Sequence, residues 1–379
     1  MNNSSIQMCD LRGQYLKIKP EIDAAIQQVI DSTAFIKGKE VGDFQDELAR
    51  YLGVKHVIGC ANGTDALQVA LMALGLKPGD EVITPDFTFI ATVEVVALLG
   101  LTPILVDVDP FTFTLDTKKL EEAITPKTKA IIPVHLFGQC ANMGEIMRIA
   151  QIHNLYVVED AAQALGASYY HSDGHVSKAG TIGHIGATSF FPSKNLGCYG
   201  DGGALFTNDD SLAAEIRSIT NHGMRVRYHH DRIGVNSRLD TVQAAILRVK
   251  LKYLDSYNEA RMAAAQLYDT RLKVCANLVI PSRATWSNHI FHQYTLRVNE
   301  ANREELSKFL AGKGIPSMVY YPIPLHSQKA FEAYRLQNSN STFPVSNSLS
   351  TSVLSIPMHT ELDVDTINFI TESILSFFK

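Results

Sequence analysis

The sequence predicts an α/β protein with a large, mostly parallel sheet domain and a smaller C-terminal α+β domain. Seven short apolar runs alternate with amphipathic stretches of helical periodicity up to about residue 209. Several runs are apolar at nearly every position, as is typical of strands covered by helices on both faces. After residue 209 longer helical segments replace this alternation. We therefore predict domains at 1–250 and 251–379.

The elements of the large domain can be assigned one by one. The strands are predicted at HVIGCA, EVITP, TPILVDVD, KAIIPVH, LYVVED, ATSFF and GALFTN. Helices are predicted between them at DALQVALMALGL, TVEVVALLG, DTKKLEEAI and NMGEIMRIAQIH. Asp116 and Asn142 are placed to cap two of these helices, and Gly75 and Gly100 to end two. This alternation of strands and helices predicts a parallel sheet.

The remaining segments have other patterns. Residues 20–31 predict an amphipathic helix that packs on the main domain or on a partner subunit. Helical spacing also covers 210–222 and about 238–272, whereas the Asn- and Ser-rich 336–348 is predicted as a loop. The small domain is then built from a strand at HQYTLRV, a helix at NREELSKFLAGKG, a strand at PSMVYYP and a helix at DVDTINFITESILSFF.

Composition and charge exclude several classes of protein. The net charge of −5 argues against a dedicated nucleic-acid binder. The apolar stretch 95–106 is interrupted by Gly100 and Pro103 and is shorter than the ~20 residues of a membrane span. The N-terminal residues lack the pattern of a secretory signal, and the 5 cysteines include no CxxC. We therefore expect a cytoplasmic protein without disulfides, bound metal, nucleic acid or membrane contact.

Side chains that follow two of the first strands are candidates for ligand binding, because a parallel sheet binds ligands beyond its carboxyl edge. Gly63 and Thr64 open a helix after the first strand, where backbone N–H groups would bind a phosphate. Alternatively Asn62 or Thr64 simply caps that helix. Phe89 follows the second strand and is placed either to stack on a planar ring or to pack in the core.

Asp160 and Lys194 complete the set of candidate residues. Asp160 ends the strand LYVVED, where a carboxylate needs a helix N-terminus, an arginine or a protonated ring nitrogen as its partner. Lys194 follows ATSFF, and its amine is either a nucleophile in a poorly solvated pocket or reaches solvent. Phosphate donors, an aromatic face, a carboxylate and an amine are together what pyridoxal 5′-phosphate (PLP) requires.

Five ordered segments resemble the DegT/DnrJ/StrS family of sugar-nucleotide aminotransferases. They extend from about residue 35 to 247, with weaker matches at VYYPIPLH and LSIPMH. The resemblance implies the aspartate-aminotransferase (PLP type I) fold, with a seven-stranded large domain and PLP as the cofactor. The five segments are FIKGKEVGDFQDELARYLGVKHVIGCANGTDAL, GDEVITPDFTFIATVEVVALLG, VVEDAAQALGA, TSFFPSKNLGCYGDGGALFTND and NHGMRVRYHHDRIGVNSRLDTVQAAIL.

The resemblance also implies roles for individual residues. Lys194 is similar to the family's Schiff-base lysine, and Asp160 is similar to the partner of the pyridinium nitrogen. Some family members have His in place of this lysine and act as dehydratases, so the lysine of this chain favours transamination. Asn236 resembles an asparagine that reaches the phosphate of the neighbouring subunit, which implies a homodimer with shared active sites. The other implied cofactor contacts are Gly63, Thr64 and Ser189 at the phosphate, Phe89 at the ring face and Gln163 beside the ring hydroxyl.

The substrate is the least determined feature. RYHHDRIGVNSRLDTVQAAIL looks closest to the branch that acts on UDP-2-acetamido-2-deoxy-3-oxoglucuronate, which implies that Arg238 grips the carboxylate bidentately. The sugar pocket is then expected to be lined by His230, Tyr320, Tyr321 and His326. Alternatively, His230 belongs to a solvated basic loop, and the other three residues pack a strand and a turn.

The expected reaction moves an amino group from L-glutamate to this 3-keto sugar nucleotide, for surface polysaccharide (lipopolysaccharide) biosynthesis. Two alternatives stay open at this point. One is an aminotransferase for a dTDP-3-keto-6-deoxyhexose or another keto sugar nucleotide, and the other is a PLP-binding regulator without turnover.

Overall fold

The computed structural model of the protein describes residues 6–334 and 341–379. Its strands are β1 (His56–Cys60), β2 (Glu81–Pro85), β3 (Thr102–Val106), β4 (Thr128–Ile131), β5 (Tyr156–Asp160), β6 (Ser168–Tyr170), β7 (Val176–Lys178), β8 (Ile185–Ser189), β9 (Gly203–Thr207), β10 (Met224–Val226), β11 (His229–His230), β12 (Leu278–Val279), β13 (Tyr294–Val298) and β14 (Val353–Ile356).

The helices lie between these strands and at both ends of the described chain. They are α1 (Leu11–Ser32), α2 (Lys39–Leu52), α3 (Gly63–Ala73), α4 (Ala91–Leu98), α5 (Thr117–Glu122), α6 (Met143–His153), α7 (Asp210–Ile219), α8 (Thr241–Leu251), α9 (Leu254–Leu272), α10 (Glu300–Gly312), α11 (Pro344–Ser352) and α12 (Val364–Phe377).

A seven-stranded sheet in the order β1-β9-β8-β5-β4-β2-β3 forms the centre of the protein. Strand β9 is antiparallel to its neighbours β1 and β8, whereas β8, β5, β4, β2 and β3 pair in parallel. The seven predicted runs are these seven strands, and the predicted α/β fold class is confirmed. The carboxyl ends of the six strands other than β9 therefore meet at one edge of the sheet.

Helices cover both faces of the sheet, which explains why its strands are apolar throughout. Val82 and Val158 pack on one face with α3, α4 and α7. Their chain neighbours Ile83 and Val157 pack on the other face with α6. Successive side chains of a strand point to opposite faces, so both faces must be apolar here. The predicted caps are confirmed, since the side chains of Asp116 and Asn142 accept backbone N–H bonds of α5 and α6.

The C-terminal part of the chain has its own core. Helices α9, α10 and α12 pack there against the small sheet β12-β13-β14. Helix α1, predicted as an amphipathic helix, packs on α8 through Ile18 and Ile22. Helix α8 ends at Leu251 and α9 begins at Leu254, so the helical region predicted over 238–272 is two helices. A domain boundary at residue 250 stays a prediction.

Two further local predictions differ from the structure. The segment PSMVYYP forms no strand and has one isolated bridge, between Met318 and Ser355. Its prolines at both ends lack the N–H that a ladder requires. Part of the segment predicted as a loop is helix α11, because Pro344 occupies the first turn, where a missing N–H costs nothing. Residues 336–340 of that predicted loop lie outside the described residues.

Candidate active site

The candidate active site lies at the carboxyl edge of the sheet, beyond β1, β2, β5 and β8. Its first part is the start of α3. The Asn62 side chain accepts the Asp65 N–H at 2.8 Å, so Asn62 is the N-cap. The N–H groups of Gly63 and Thr64 precede the capped one, in the first turn, where a helix supplies no acceptors of its own. These two groups are therefore available to an anion.

Ser189 at the end of β8 lies directly beside this helix start. A Cβ atom on Gly63 would lie only 2.6 Å from the Ser189 Cβ, so the approach requires glycine at 63. Strand β9 separates β1 from β8 and begins at Gly203, which pairs with both Cys60 and Ser189. A Cβ on Gly203 would lie 2.4 Å from the Asn62 carbonyl oxygen. The hydroxyl of Ser189 and the N–H groups of 63 and 64, which we call the cradle, fit a phosphate group.

Asp160 is buried at the end of β5 and has two donors. Thr92 Oγ1 donates to its Oδ2 at 2.8 Å, and the Ala162 N–H donates to its Oδ1 at 3.1 Å. Burial raises the pKa of Asp160 above its usual value, although these donors and the positive charge of Lys194 lower it in part. The carboxylate would therefore gain from another cation, such as a protonated ring nitrogen.

Lys194 lies in the turn after β8 and shares the environment of Asp160. Its backbone N–H donates to the Phe191 oxygen at 2.8 Å, which fixes the turn. Burial lowers the pKa of Lys194 to about 8, and the charge of Asp160 opposes this shift. The pKa of buried His292 is well below its usual value, first through burial and then through the charge of Lys194. Lys194 is half-buried, so its amine is partly withdrawn from solvent beside the buried Asp160.

Phe89, Gln163 and Tyr321 form an aromatic and polar wall at the same edge. The Phe89 side chain is 52% exposed, so it is not a core residue. Its ring centroid lies 6.1 Å from that of Tyr321. Gln163 Nε2 donates to the Tyr321 hydroxyl at 3.1 Å, and Gln163 Oε1 accepts the Phe137 N–H at 2.8 Å. Phe89 is thus an aromatic face left open at a strand end, as ring stacking requires.

Four of the expected site residues lie apart from this group or contact only its margin. Asn236 is exposed and forms a bridge with Asn221. His230 contacts the His222 oxygen at 2.8 Å in the β10–β11 hairpin. Arg238 Nη2 donates to Asn221 Oδ1 at 3.3 Å. Tyr320 contacts the group only through Tyr321, with ring centroids 5.9 Å apart.

His326 also lies apart, at the end of β2, and binds a carboxylate that sequence reasoning missed. Its backbone N–H and its Nδ1 contact the two carboxylate oxygens of buried Asp86, both at 2.7 Å. Its ring stacks on Phe343 at 4.4 Å. The adjoining cavity of about 570 Å³ is lined by Leu105 of β3 rather than by Lys194 or Asp160. The structure therefore favours packing as the role of His326.

Sequence reasoning also missed Thr92, the side-chain donor to Asp160, and the pair His135 and Glu159 behind it. Thr92 lies in the first turn of α4, seven residues after β2, and only the sheet order brings it to β5. His135 Nε2 contacts Glu159 Oε2 at 2.8 Å. Of these missed residues, Asp86 had a signal in the sequence. It is a carboxylate at the end of a buried strand, as Asp160 is.

Comparison with known proteins agrees with this geometry. Residues 16–375 match the DegT/DnrJ/EryC1/StrS aminotransferase family. The chain is 48% identical to the UDP-2-acetamido-2-deoxy-3-oxo-D-glucuronate aminotransferase of Pseudomonas aeruginosa, over 96% of this chain and 98% of that protein. It is 46% identical to the UDP-N-acetyl-3-dehydro-alpha-D-glucosamine 3-aminotransferase of Acidithiobacillus ferrooxidans, over 95% and 94%. With dTDP-3-amino-3,4,6-trideoxy-alpha-D-glucose transaminase of Streptomyces venezuelae it shares 40%, over 94% and 92%.

Solved structures show the same fold. A DegT/DnrJ/EryC1/StrS aminotransferase from Brucella abortus superposes with a TM-score of 0.92 at 43% identity, covering 98% of this chain and 99% of that one. NtdA from Bacillus subtilis, solved with bound cofactor PMP, superposes with a TM-score of 0.87 at 32% identity, covering 95% and 82%. No helix within the described residues is long and apolar enough to cross a membrane. The chain belongs to the DegT/DnrJ/EryC1/StrS aminotransferase family and is an aminotransferase.

Proposed function

We propose that the protein uses PLP to transfer an amino group from L-glutamate to the keto carbon of UDP-2-acetamido-2-deoxy-3-oxoglucuronate, for surface polysaccharide biosynthesis. The observation that carries the reaction type is that half-buried Lys194 and buried Asp160 interact electrostatically beside the cradle. The substrate is supported by the relatives named for UDP-linked 3-oxo sugars, which are 48% and 46% identical, against 40% for the relative named for a dTDP sugar.

The residues of the site fit PLP on three observations of this structure. The cradle at Gly63 and Ser189 has no room for a side chain at 63, Phe89 presents an open ring, and Asp160 has two donors for a buried carboxylate. When bound, PLP supplies a positively charged ring that takes up the electron pair of the carbon losing its proton. Asp160 would hold the ring nitrogen protonated.

Lys194 would act as the base that moves a proton between the substrate carbon and the cofactor. A pKa of about 8 leaves part of its amine neutral at neutral pH, whereas an ordinary lysine is almost fully charged. Phe190 is completely buried behind the turn and packs on Phe44 at 5.4 Å, which excludes water from that side. The N–H groups of Gly63 and Thr64 would bind the phosphate with Ser189.

A homodimer is part of this proposal. Among the exposed large apolar side chains of the described residues, two groups lie in the N-terminal segment and in the hairpin region. They are Leu16, Ile30, Phe35 and Ile36 in the first, and Val226, Tyr228 and Ile233 in the second. Exposed apolar surface of this kind is typical of a subunit interface. Asn236 and Arg238 adjoin the second surface, from which they would reach the site of the partner subunit.

Lys194→Ala tests the reaction type. Purified wild-type protein should take up PLP and convert it to the amino form when L-glutamate is added, and the Lys194→Ala protein, which keeps the cradle and Asp160 but lacks the base, should lose this conversion. Lys178→Ala is the matched control, because Lys178 is also partly buried but donates to the Gly166 oxygen away from the site. Wild-type protein whose absorbance does not respond to L-glutamate would contradict the proposal.

Mixing two inactive variants tests the shared site. Lys194→Ala and Asn236→Ala remove groups that, in this proposal, serve one site from two different subunits. Subunits exchanged between the two proteins should form mixed dimers with one intact site, which restores about a quarter of wild-type activity. No recovery after verified exchange would place Asn236 in the same site as its own Lys194.

The two alternatives predict different results. An aminotransferase for a dTDP-3-keto-6-deoxyhexose should prefer that substrate over the UDP-3-oxouronate. If Arg238 binds the carboxylate, as the resemblance implies, Arg238→Ala weakens the uronate reaction more than the reaction of a dTDP sugar. A PLP-binding regulator would take up the cofactor and show no glutamate-dependent change at all.

A further inference from the structure

We propose that Lys37, Arg217 and Arg238 form a binding site for an oxyanion group, separate from the cradle at Gly63 and Ser189. The inference rests on the proposed function only for the source of the anion. Arg238 was expected to bind substrate on resemblance alone, whereas Lys37 and Arg217 enter through the geometry of the cavity that the three residues share.

The three side chains line one cavity of about 400 Å³ at the β1 edge of the sheet. Its walls come from the start of α2, from β1, from the end of α7 and from the segment 237–239. Among the described residues, its lining includes the cationic side chains of Lys37, Lys39, Arg217 and Arg238 and no carboxylate. Lys39 is paired with Asp43, which leaves three cations facing the cavity.

These three cations have no acidic partner. In residues 6–334 and 341–379 no carboxylate oxygen lies within the 4.0 Å of an ion pair from Lys37, Arg217 or Arg238. Nearby arginines do find one, since Arg225 and Arg232 both pair with Glu215. Cations gathered in a concave surface without counter-charge attract anions, because the concave wall concentrates their field.

One amide oxygen holds two of the cations together. Asn221 Oδ1 accepts from Lys37 Nζ at 3.2 Å and from Arg238 Nη2 at 3.3 Å. Two positive groups that share one neutral acceptor repel each other, and a bound anion would offset that repulsion. The Asn221 side chain therefore holds Lys37 and Arg238 ready for an anion rather than neutralising them.

The guanidinium of Arg238 has an unused donor. Its Nε is buried and makes no hydrogen bond within the described residues. A buried donor without an acceptor costs free energy, which an oxygen from a ligand would recover. The Nε and Nη2 hydrogens of arginine lie parallel in one plane, the geometry that binds two oxygens of a carboxylate or phosphate.

The cavity wall is held in place by bonds that do not involve the three cations. The Gly38 N–H donates to Thr241 Oγ1 at 3.0 Å and fixes the segment that carries Lys37. The Ala61 N–H donates to Ser237 Oγ at 3.0 Å and fixes the segment that carries Arg238. A site that is already ordered loses little conformational entropy when its ligand binds. The proposed substrate offers two oxyanion sources, its carboxylate and its diphosphate.

Calorimetric titration of the PLP-loaded protein without amino donor tests the site. PLP is bound first so that the cradle is occupied and cannot bind the phosphate groups of the titrants. The titrants are inorganic pyrophosphate, UDP and D-glucuronate. We expect Lys37→Met and Arg217→Gln each to weaken binding of at least one titrant by about tenfold or more, since each removes a charge-assisted contact. Arg50→Gln, which changes an exposed arginine of α2, should bind like wild type.

The pattern of losses identifies the anion. Weaker binding of pyrophosphate and UDP alone supports the diphosphate as ligand, and weaker binding of D-glucuronate alone supports the carboxylate. Binding of all three titrants at wild-type strength by both variants overturns the site, as does wild-type protein that binds none of them. Because no turnover is measured, a failure of the proposed transamination leaves this result independent.

Discussion

The last two residues of β5, Glu159 and Asp160, are adjacent buried carboxylates with opposite environments. Glu159 is fully buried and accepts four hydrogen bonds, from His135 Nε2 at 2.8 Å and from the N–H groups of Gly180 (3.0 Å), Ile182 (2.6 Å) and Gly183 (2.5 Å). Asp160 points to the other face of the sheet, because side chains alternate along a strand. It accepts two hydrogen bonds.

This difference separates a carboxylate that holds the fold from one that serves a ligand. The Ala141 N–H donates to His135 Nδ1 at 3.1 Å, so the proton of this imidazole lies on Nε2 and points at Glu159. The chain itself therefore satisfies Glu159 completely. Asp160 keeps acceptor capacity and a raised pKa that a bound cation would reverse. Burial alone does not distinguish the two residues, but the number of donors does.

Asp160→Asn should have the largest effect on activity. An amide cannot hold a ring nitrogen protonated, so we expect kcat to fall by about 10²- to 10⁴-fold, the range for groups that control a proton in the transition state. The free energy of unfolding of the apoprotein should change little or rise, because the variant no longer buries a charge. Steady-state kinetics and urea unfolding measure the two quantities. Activity within tenfold of wild type would break the comparison.

Glu159→Gln should act on stability instead. The NH₂ group of the glutamine would face N–H donors that bind a carboxylate oxygen in the wild type. Because two donors cannot bond to each other, we expect the free energy of unfolding to fall by about 3 kcal/mol. The activity per folded molecule should stay within a few-fold of wild type. Tyr156→Phe, at the exposed start of the same strand, is the control for urea unfolding. A stable but inactive Glu159→Gln protein would assign Glu159 to the chemistry.

Thr92→Val should have an intermediate effect. It removes the side-chain donor to Asp160 and leaves the Ala162 N–H as its hydrogen-bond donor. Loss of one hydrogen bond to a charged group should weaken PLP binding by roughly tenfold. Thr88→Val is the matched control, because Thr88 is similarly buried and, within the described residues, the hydrogen-bond contact of its hydroxyl is with Thr92 Oγ1 at 3.5 Å. Equal PLP affinities of the two variants, measured by titration of absorbance, would contradict this role.

The pH dependence of apoprotein stability tests the environment of Lys194. The pKa of Lys194 is lowered to about 8 in the folded state, whereas an unfolded lysine titrates near 10.5. Between these values the unfolded chain binds the extra proton, so stability should rise with pH from about 8 to 10.5. Lys194→Met should lack this rise. Parallel unfolding curves of both proteins over that window would mean that Lys194 is solvated.

The sequence was informative where local chemistry determines local structure. Apolar runs such as EVITP predict strands because both faces of a central strand are buried, and Asp116 caps a helix through bonds to its own near neighbours. Pro344 was ambiguous, since proline begins a helix as readily as it occupies a loop. The break between α8 and α9 has no local signal, because it turns the chain from one core to another.

The residues of the candidate site also differ in how far the sequence alone could predict them. Lys194 and Asp160 were predictable as residues at strand ends, where a parallel sheet places ligands. Thr92 and the cavity around Arg217 were not, because they depend on which strands and helices become neighbours in space. Asn236 and His230 were expected from resemblance and loop charge alone, and within the described chain they lie apart from Lys194.

Gly203 links construction of the sheet to capture of the coenzyme. Residues 62 and 63 contact Ser189 only after β9, which begins at Gly203, has paired with both β1 and β8. These segments are far apart in the chain, and such distant pairings form slowly. If the cradle binds the phosphate of PLP, as proposed, a molecule in which these strands have not yet paired lacks a formed binding site. The rate at which the absorbance of bound PLP appears during refolding would then report the pairing of β9 with its two neighbours rather than the collapse of the polypeptide.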